Sequence, residues 1–405
     1  MQQRIKALAQ SWLEEGIAIR RHLHQHPELS FQEKETARFI AGKLTEYGIS
    51  FREGWAGGTG IVALIEGRPA PDRVIALRGD IDALPIKEAN QVSYCSVNEG
   101  IMHACGHDVH TTCLLGAAYI LQQLRDEWPG QVKLLFQPGE ELLPGGASLM
   151  IRDGALENPA PAAIFGQHVE PPLEAGMVGF RAGQFMASAD EIYITVKGKG
   201  GHGAMPHQCI DPILITAHLL TGLQQVISRN TNPFLPAVLT FGHIASEGGA
   251  TNIIPDEVKI KGTFRTLDEK WRFEAHNRIR NMATQLVEGM GGTCECTIEV
   301  GYPVLSNHEA LTLRARQHAE AFLGADKVVE MPQRLTAEDF AFYSQVMPAC
   351  FYRLGVRKPG SDAVFPVHTS TFDVDENCLE TGAGLMAWMA VQELEGQRWT
   401  VDGGR

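Results

Sequence analysis

Apolar residues recur at Ile5, Leu8, Trp12, Ile19 and Leu23, close to the spacing of one helical face, and predict a helix at the start of the chain. Ser30 followed by Glu33 has the form of a capping box and predicts the start of a second helix. Two short β-rich runs come next, Gly60 to Ile65 and Arg73 to Leu77. The runs Gln131 to Phe136 and Ala162 to Phe165 are apolar on both faces, as strands of a mixed or parallel sheet are when helices cover them on both sides. Between these runs, Asp108 to Leu124 and Ala147 to Asp153 read as helices. Strand and helix in alternation predict an α/β layer fold.

Near residue 185 the pattern changes. Glu191 to Val196 alternates apolar and polar positions, and Val258, Ile260 and Phe264 alternate with Lys259, Lys261 and Arg265. One-sided alternation means a sheet with one solvated face, which suits a smaller α+β domain with helices at Pro212 to Ser228 and Asp268 to Glu288. Cys294, Cys296, Ile298 and Val300 share a face of its last strand, and the two thiols there read as packing rather than as a metal site. From about Pro303 the α/β character returns, with a helix at Glu309 to Leu323, a strand at Cys350 to Leu354 and a helix at Glu376 to Leu394. The expected organisation is a larger domain of residues 1–184 and 301–405 with a smaller one, 185–300, inserted into it.

Composition narrows the partners. A chain of 405 residues has room for two or three domains at roughly 100–200 residues each. Its formal net charge of −13 disfavours nucleic acid and anionic membrane, which are bound through excess positive charge. No apolar run approaches the roughly 20 residues needed to span a bilayer. Glu14 and Glu15 fall where a signal peptide would carry its apolar core, and eight Cys are too sparse for a disulfide scaffold, so a cytoplasmic location is expected.

The 15 His are unevenly spread. The densest chemistry is Met102 to His110, where His103, Cys105, His107, Asp108 and His110 crowd together and Gly106 lets the backbone turn Cys105 and His107 onto one ion. Asp80 and Asp82 precede it, just after a strand. A buried turn with a capping Asp would explain one or two of these residues, not all five. His103 and His107 share the spacing of a zinc-binding helix, but Gly106 disfavours helix between them, and His103 and His110 fit supporting or substrate-side roles better than ligand roles. Glu140 and Glu141 end another apolar strand. Adjacent residues there point different ways, so one carboxylate can hold a metal while its neighbour acts as a general base. His168 ends a third apolar strand, and His368 lies near the C-terminus. Together these donors suffice for two metal ions.

In order and spacing, RGDIDALP, MHACGHDVH, QPGEE, GQHV, GKGGHGAMP, TNIIPDEV, GTFR, AEDFAFY and VHTSTFDVDE resemble the M20 metallopeptidase family over nearly the whole chain. They are most similar to its aminoacylase, hippurate hydrolase and auxin-conjugate hydrolase branch. The resemblance implies a catalytic domain with a mixed sheet flanked by helices, plus an inserted α+β lid that mediates dimerisation. It implies ligands Cys105, His107, Glu141, His168 and His368 for two divalent cations, and Glu140 as general acid and base. Zinc or manganese is expected, with cobalt or nickel also compatible. Cys105 stands where several branches use a bridging Asp, which makes this site softer. His202 is implied to stabilise the oxyanion at a partner subunit's site, with Asn252 and Arg265 binding substrate; alternation alone would make Arg265 a solvated strand residue. Gly139, where Ala is commoner, and Leu142-Leu143-Pro144, in place of a glycine run, bear on loop shape and substrate choice.

The implied activity is hydrolysis of N-acyl-amino acids to a carboxylic acid and a free amino acid, by a homodimer or a higher homo-oligomer. A dipeptidase or aminopeptidase of the same family, and a metal-binding interaction protein without catalysis, are the competing readings. Retention of both Glu140 and Glu141 speaks against the last.

Overall fold

The computed structural model describes residues 1–70 and 72–396. Contacts divide the chain into two compact units, one of residues 1–183, 306–332 and 339 onward, the other of 184–305 and 333–338. The chain therefore makes two excursions into the smaller unit. The second, Gln333–Glu338, carries no periodicity of its own and lies in what the sequence pattern assigns to the larger domain.

In the larger unit α1 (Gln2–Gln25) and α2 (Lys34–Glu46) precede the strands β1 (Ser50–Trp55), β2 (Gly60–Glu66) and β3 (Val74–Asp80). Helix α3 (His107–Gln123), strand β4 (Gln131–Gln137), helix α4 (Gly146–Arg152) and strand β5 (Ala163–Glu174) follow. The sheet runs β1-β2-β4-β3-β5 and continues through strands Ala349–Arg357, Val178–Phe180 and Val328–Glu330. Strands β4, β3, β5 and Ala349–Arg357 are mutually parallel, while β1 and β2 run antiparallel at one side, which makes the sheet mixed.

The central strands have no wet face: every residue of β3 is buried. Helix α3 is apolar nearly all round because it packs between the sheet, α1 and the helix Cys378–Glu395. From β3 the chain passes through α3 to β4 on one side, and β5 then pairs on the other side of β3. Connections that leave in opposite directions open a crevice at the carboxyl ends of these strands, where α/β proteins place their sites.

The Ser30 and Glu33 capping box does not form. Ser30 Oγ donates instead to Asp82, and the Glu33 carboxyl accepts from Phe31, Gly139 and Thr59. Glu28 caps α2 in their place, its carboxylate accepting the Thr36 N–H at 2.8 Å and the Thr36 hydroxyl at 2.9 Å.

The smaller unit is an antiparallel four-stranded sheet in the order Ala237–Ser246, Glu257–Thr266, Asp190–Lys197, Thr293–Val300. Its inward positions, among them Ile192, Ile194, Val196 and Ile260, pack with Leu219, Ile279 and Val287 of the helices Pro212–Leu223 and Glu269–Gly289. Asp211 and Asp268 cap those helices. The first ends five residues before the expected Ser228, which falls in a separate wide turn, Val226–Asn230. Cys294 and Cys296 are half-buried against this core and take part in no potential metal cluster among the described residues. No described helix is long and apolar enough to cross a membrane.

Candidate metal centre

The candidate donors collect at the crevice. Gly106, with φ of 82°, caps α3 in the left-handed region, so Cys105 and His107 turn inward from either side of the helix start. A Cβ at Gly106 would lie 2.7 Å from Val169 Cγ2, so only glycine fits. Glu140 and Glu141 follow β4, His168 lies within β5, and His368 is held at φ of 61° with its N–H donating to Ala104 O at 2.8 Å.

Cys105 Sγ is 3.4 Å from His168 Nε2 and 3.3 Å from His368 Nε2. Glu141 Oε1 is 3.2 Å from His368 Nε2 and 3.9 Å from His107 Nε2. Ligand atoms of Cys105, His107 and His168 lie within 4.8 Å of one another, as do those of Cys105, Glu141 and His368, and those of His107, Glu140 and Glu141. All five expected ligands are thus brought together, with Glu140 beside them.

The hydrogen bonds fix which nitrogen each imidazole can offer. His168 Nδ1–H donates to the Val169 carbonyl at 2.8 Å, which leaves the Nε2 lone pair facing Cys105. His107 Nδ1–H donates to Asp82 Oδ1 at 3.1 Å, which leaves Nε2 facing Glu141. A carboxylate behind a ligating histidine orients the ring and raises its basicity. Asp82 also accepts the Glu141 N–H at 3.0 Å and the Ser30 hydroxyl at 2.7 Å, so one carboxylate holds two candidate ligands. His110 is different. The Val169 N–H can only donate, so His110 Nε2 is its acceptor at 2.9 Å, and Nδ1–H goes to Asp80 at 2.6 Å. Both nitrogens are engaged, and His110 supports the site without a lone pair to spare.

The residues fit cations. His107 Nε2 and Glu141 Oε1 are buried and make no hydrogen bond, which is costly for polar atoms unless something positive satisfies them. Burial, then the charges of Glu141, Glu140 and Asp80, push the Cys105 thiol well above its ordinary range, so only a bound cation would make it a thiolate. Burial, together with the Arg353 guanidinium and His110, holds His168 neutral, as a ligand must be. Burial alone would depress His107, but Asp80 and Asp82 outweigh it and raise it to about 10.

Support from α1 is what the sequence pattern does not reveal. Arg20 and His24 are both buried and both bind Asp108, at 2.8 Å each, and so tie the start of α3 to α1. Two polar residues four apart on an otherwise apolar helical face were the available signal.

The remaining candidates lie in the smaller unit. His202 is exposed on a two-residue strand paired with Ile253, and the Gly203 N–H donates to Asn252 O at 2.8 Å, so His202 and Asn252 sit on adjoining segments. Arg265 is half-buried and donates to Leu335 O at 3.2 Å.

The sequence profile described as peptidase family M20/M25/M40 matches residues 76–392. Over 305 residues the chain is 43% identical to an N-acyl-L-amino acid amidohydrolase of Geobacillus stearothermophilus, covering 75% of this chain and 81% of the relative. It is 37% identical over 380 residues to thermostable carboxypeptidase 2 of Saccharolobus solfataricus, covering 93% and 94%. Among solved structures, a Bacillus subtilis protein described as a dinuclear metal-binding peptidase of the M20 family superposes with a TM-score of 0.82 at 35% identity, over 95% of this chain and 99% of that one. With the profile spanning most of the chain and the donor set assembled where the fold opens its crevice, the protein belongs to peptidase family M20/M25/M40, whose members are hydrolases of amide bonds.

Proposed function

We propose that this protein hydrolyses the amide bond of N-acyl-amino acids, releasing a carboxylic acid and a free amino acid. The observation that carries the reading is the convergence of Cys105, His107, Glu141, His168 and His368 with a further buried carboxylate, Glu140, that the donor set does not need. Two divalent cations held by these residues, zinc or manganese with cobalt or nickel also suited, would polarise the amide carbonyl and make an attacking water more acidic. Glu140 takes the proton of that water and returns it to the departing amine. His202 of a second subunit stabilises the developing oxyanion, and Arg265 and Asn252 receive the carboxylate of the amino acid. The protein acts in this reading as a cytoplasmic homodimer. The amidohydrolase relative supports the N-acyl substrate class.

A panel of N-acetyl and N-benzoyl amino acids run against dipeptides, before and after chelation and with each cation restored, tests the substrate. Glu140→Ala should keep its metal while turnover falls about 10²–10⁴-fold. Near-parental turnover by that variant would overturn the assignment of the base. The carboxypeptidase relative supports a second reading, cleavage of a C-terminal residue from peptides, and a clear preference for dipeptides in the same panel would establish it.

A further inference from the structure

Arg78, on β3, is fully enclosed, and its guanidinium binds Asp80, Asp339 and Gln137. Nη1 donates to Asp80 Oδ2 at 2.7 Å, Nη2 to Asp339 Oδ1 at 2.7 Å, and Nε to Gln137 Oε1 at 2.9 Å. Asp339 is held further by Gln137 Nε2, at 2.9 and 2.8 Å to its two oxygens, and by the Ala147 N–H at 2.9 Å. The backbone N–H of Asp339 in turn donates to Glu140 Oε1 at 3.3 Å. In the other direction, Asp80 Oδ1 accepts His110 Nδ1–H, and His110 holds the backbone of Val169, the residue after His168.

One guanidinium thus connects the segment that touches Glu140 with the strand that carries His168. Buried ion pairs of this kind contribute little net stability against apolar residues of similar volume, but they fix geometry, because a planar fork satisfies its acceptors in only one arrangement. We propose that Arg78 is a positioning residue for hydrolysis: through Asp339 it sets the place of the Glu140 carboxylate relative to the histidine ligands. The inference rests on the reading of Glu140 as the base. It concerns where that carboxylate is held, and leaves metal binding untouched.

Lysine at position 78 keeps the charge but offers one ammonium in place of a planar fork of directed donors, so the Asp339 segment loses one of its anchors. The expected result for Arg78→Lys is a fall in kcat of about 10–100-fold with KM and bound metal unchanged, since a displacement near 1 Å at a catalytic group has an effect of that size. The decisive measurement is a double-mutant cycle with Glu140→Asp, whose shortened side chain is already out of place. Acting through Glu140, Arg78→Lys costs much less in that background than in the parent. Equal losses in both backgrounds, an unchanged kcat, or a loss that follows lost metal would each overturn the proposal. Should Arg78→Lys not fold, Gln137→Met removes two donors to Asp339 in nearly the same volume and is expected to give the same pattern at smaller amplitude; an unchanged kcat there is equally fatal. Glu140→Gln separates the two ideas. If it retains turnover, the reading of the base fails; if it is inactive while Arg78→Lys is fully active, only the role of Arg78 fails. The cycle is run on whichever amide of the panel is cleaved.

Discussion

Glu33 is enclosed beside the segment that carries Glu140. Its Oε1 accepts the N–H groups of Phe31 and Gly139 at 2.8 and 2.9 Å, and its Oε2 accepts the Thr59 hydroxyl at 2.8 Å. Burial, and next the neighbouring charge of Asp82, push its carboxyl from 4.5 up to about 7, against the pull of those hydrogen bonds. Between pH 4.5 and 7 the folded protein therefore keeps a proton that the unfolded chain has released. Stability contributed here is present at the acid end and is lost as pH rises through that window, by roughly 3 kcal/mol at most. Glutamine mimics the neutral form. Denaturant melts of Glu33→Gln and the parent from pH 5 to pH 8 should show the variant gaining relative stability as pH rises, and a difference that stays flat would refute the account. The same residue explains a misreading. Ser30 and Glu33 have capping-box spacing, but that signature assumes both side chains are unclaimed, and here Asp82 and Gly139 claim them. Of the candidate ligands, Cys105 and His107 stood out because Cys, His and Asp crowd together in so short a stretch for few other reasons, whereas the full set of five followed from the resemblance to the M20 family. The roles of Arg78 and Asp339 leave no trace in the sequence pattern, since their pairing joins residues 261 positions apart.

At the scale of elements, the turn into α3 matters most, because Cys105 and His107 flank its cap residue, Gly106. Gly106→Ala places a methyl 2.7 Å from Val169 Cγ2 and 3.3 Å from Phe372 Cζ, at a φ of 82° that alanine resists. A loss of about 1–3 kcal/mol is expected in urea melts, with weaker cation binding by titration, since the two flanking donors must shift together. Unchanged stability and affinity would show that the turn tolerates a side chain. The strands most readily read from the sequence were those buried on both faces: β4 was placed within one residue of its observed limits. Missed were β1, in which only Phe51 and Trp55 are even half-buried, and Ala237–Ser246, an edge strand whose outer half is exposed. Periodicity reports burial, and strands with little to bury leave little trace.

For the whole molecule, the five donors come from four segments between residues 105 and 368, so cations held there join parts of the larger unit that the chain brings together only on folding. Ligands that bind the folded form alone stabilise it by mass action, about 2.7 kcal/mol at a hundredfold excess over Kd. Chelation should lower the melting temperature by several degrees, and re-addition of cation should restore it in a concentration-dependent way. The effect has an address, because the two units have separate cores. The smaller unit's sheet contributes none of the five donors, and its two-excursion connectivity could not be read from the sequence because residues 333–338 are too few to carry a pattern. Hydrogen exchange followed by mass spectrometry, with and without chelator, should therefore show protection lost around 102–110, 138–146 and 166–170 and retained in strands 190–197 and 257–266. Equal loss in both units would mean that the cations stabilise the molecule by some route other than the site formed by the start of α3, the end of β4 and His168 of β5.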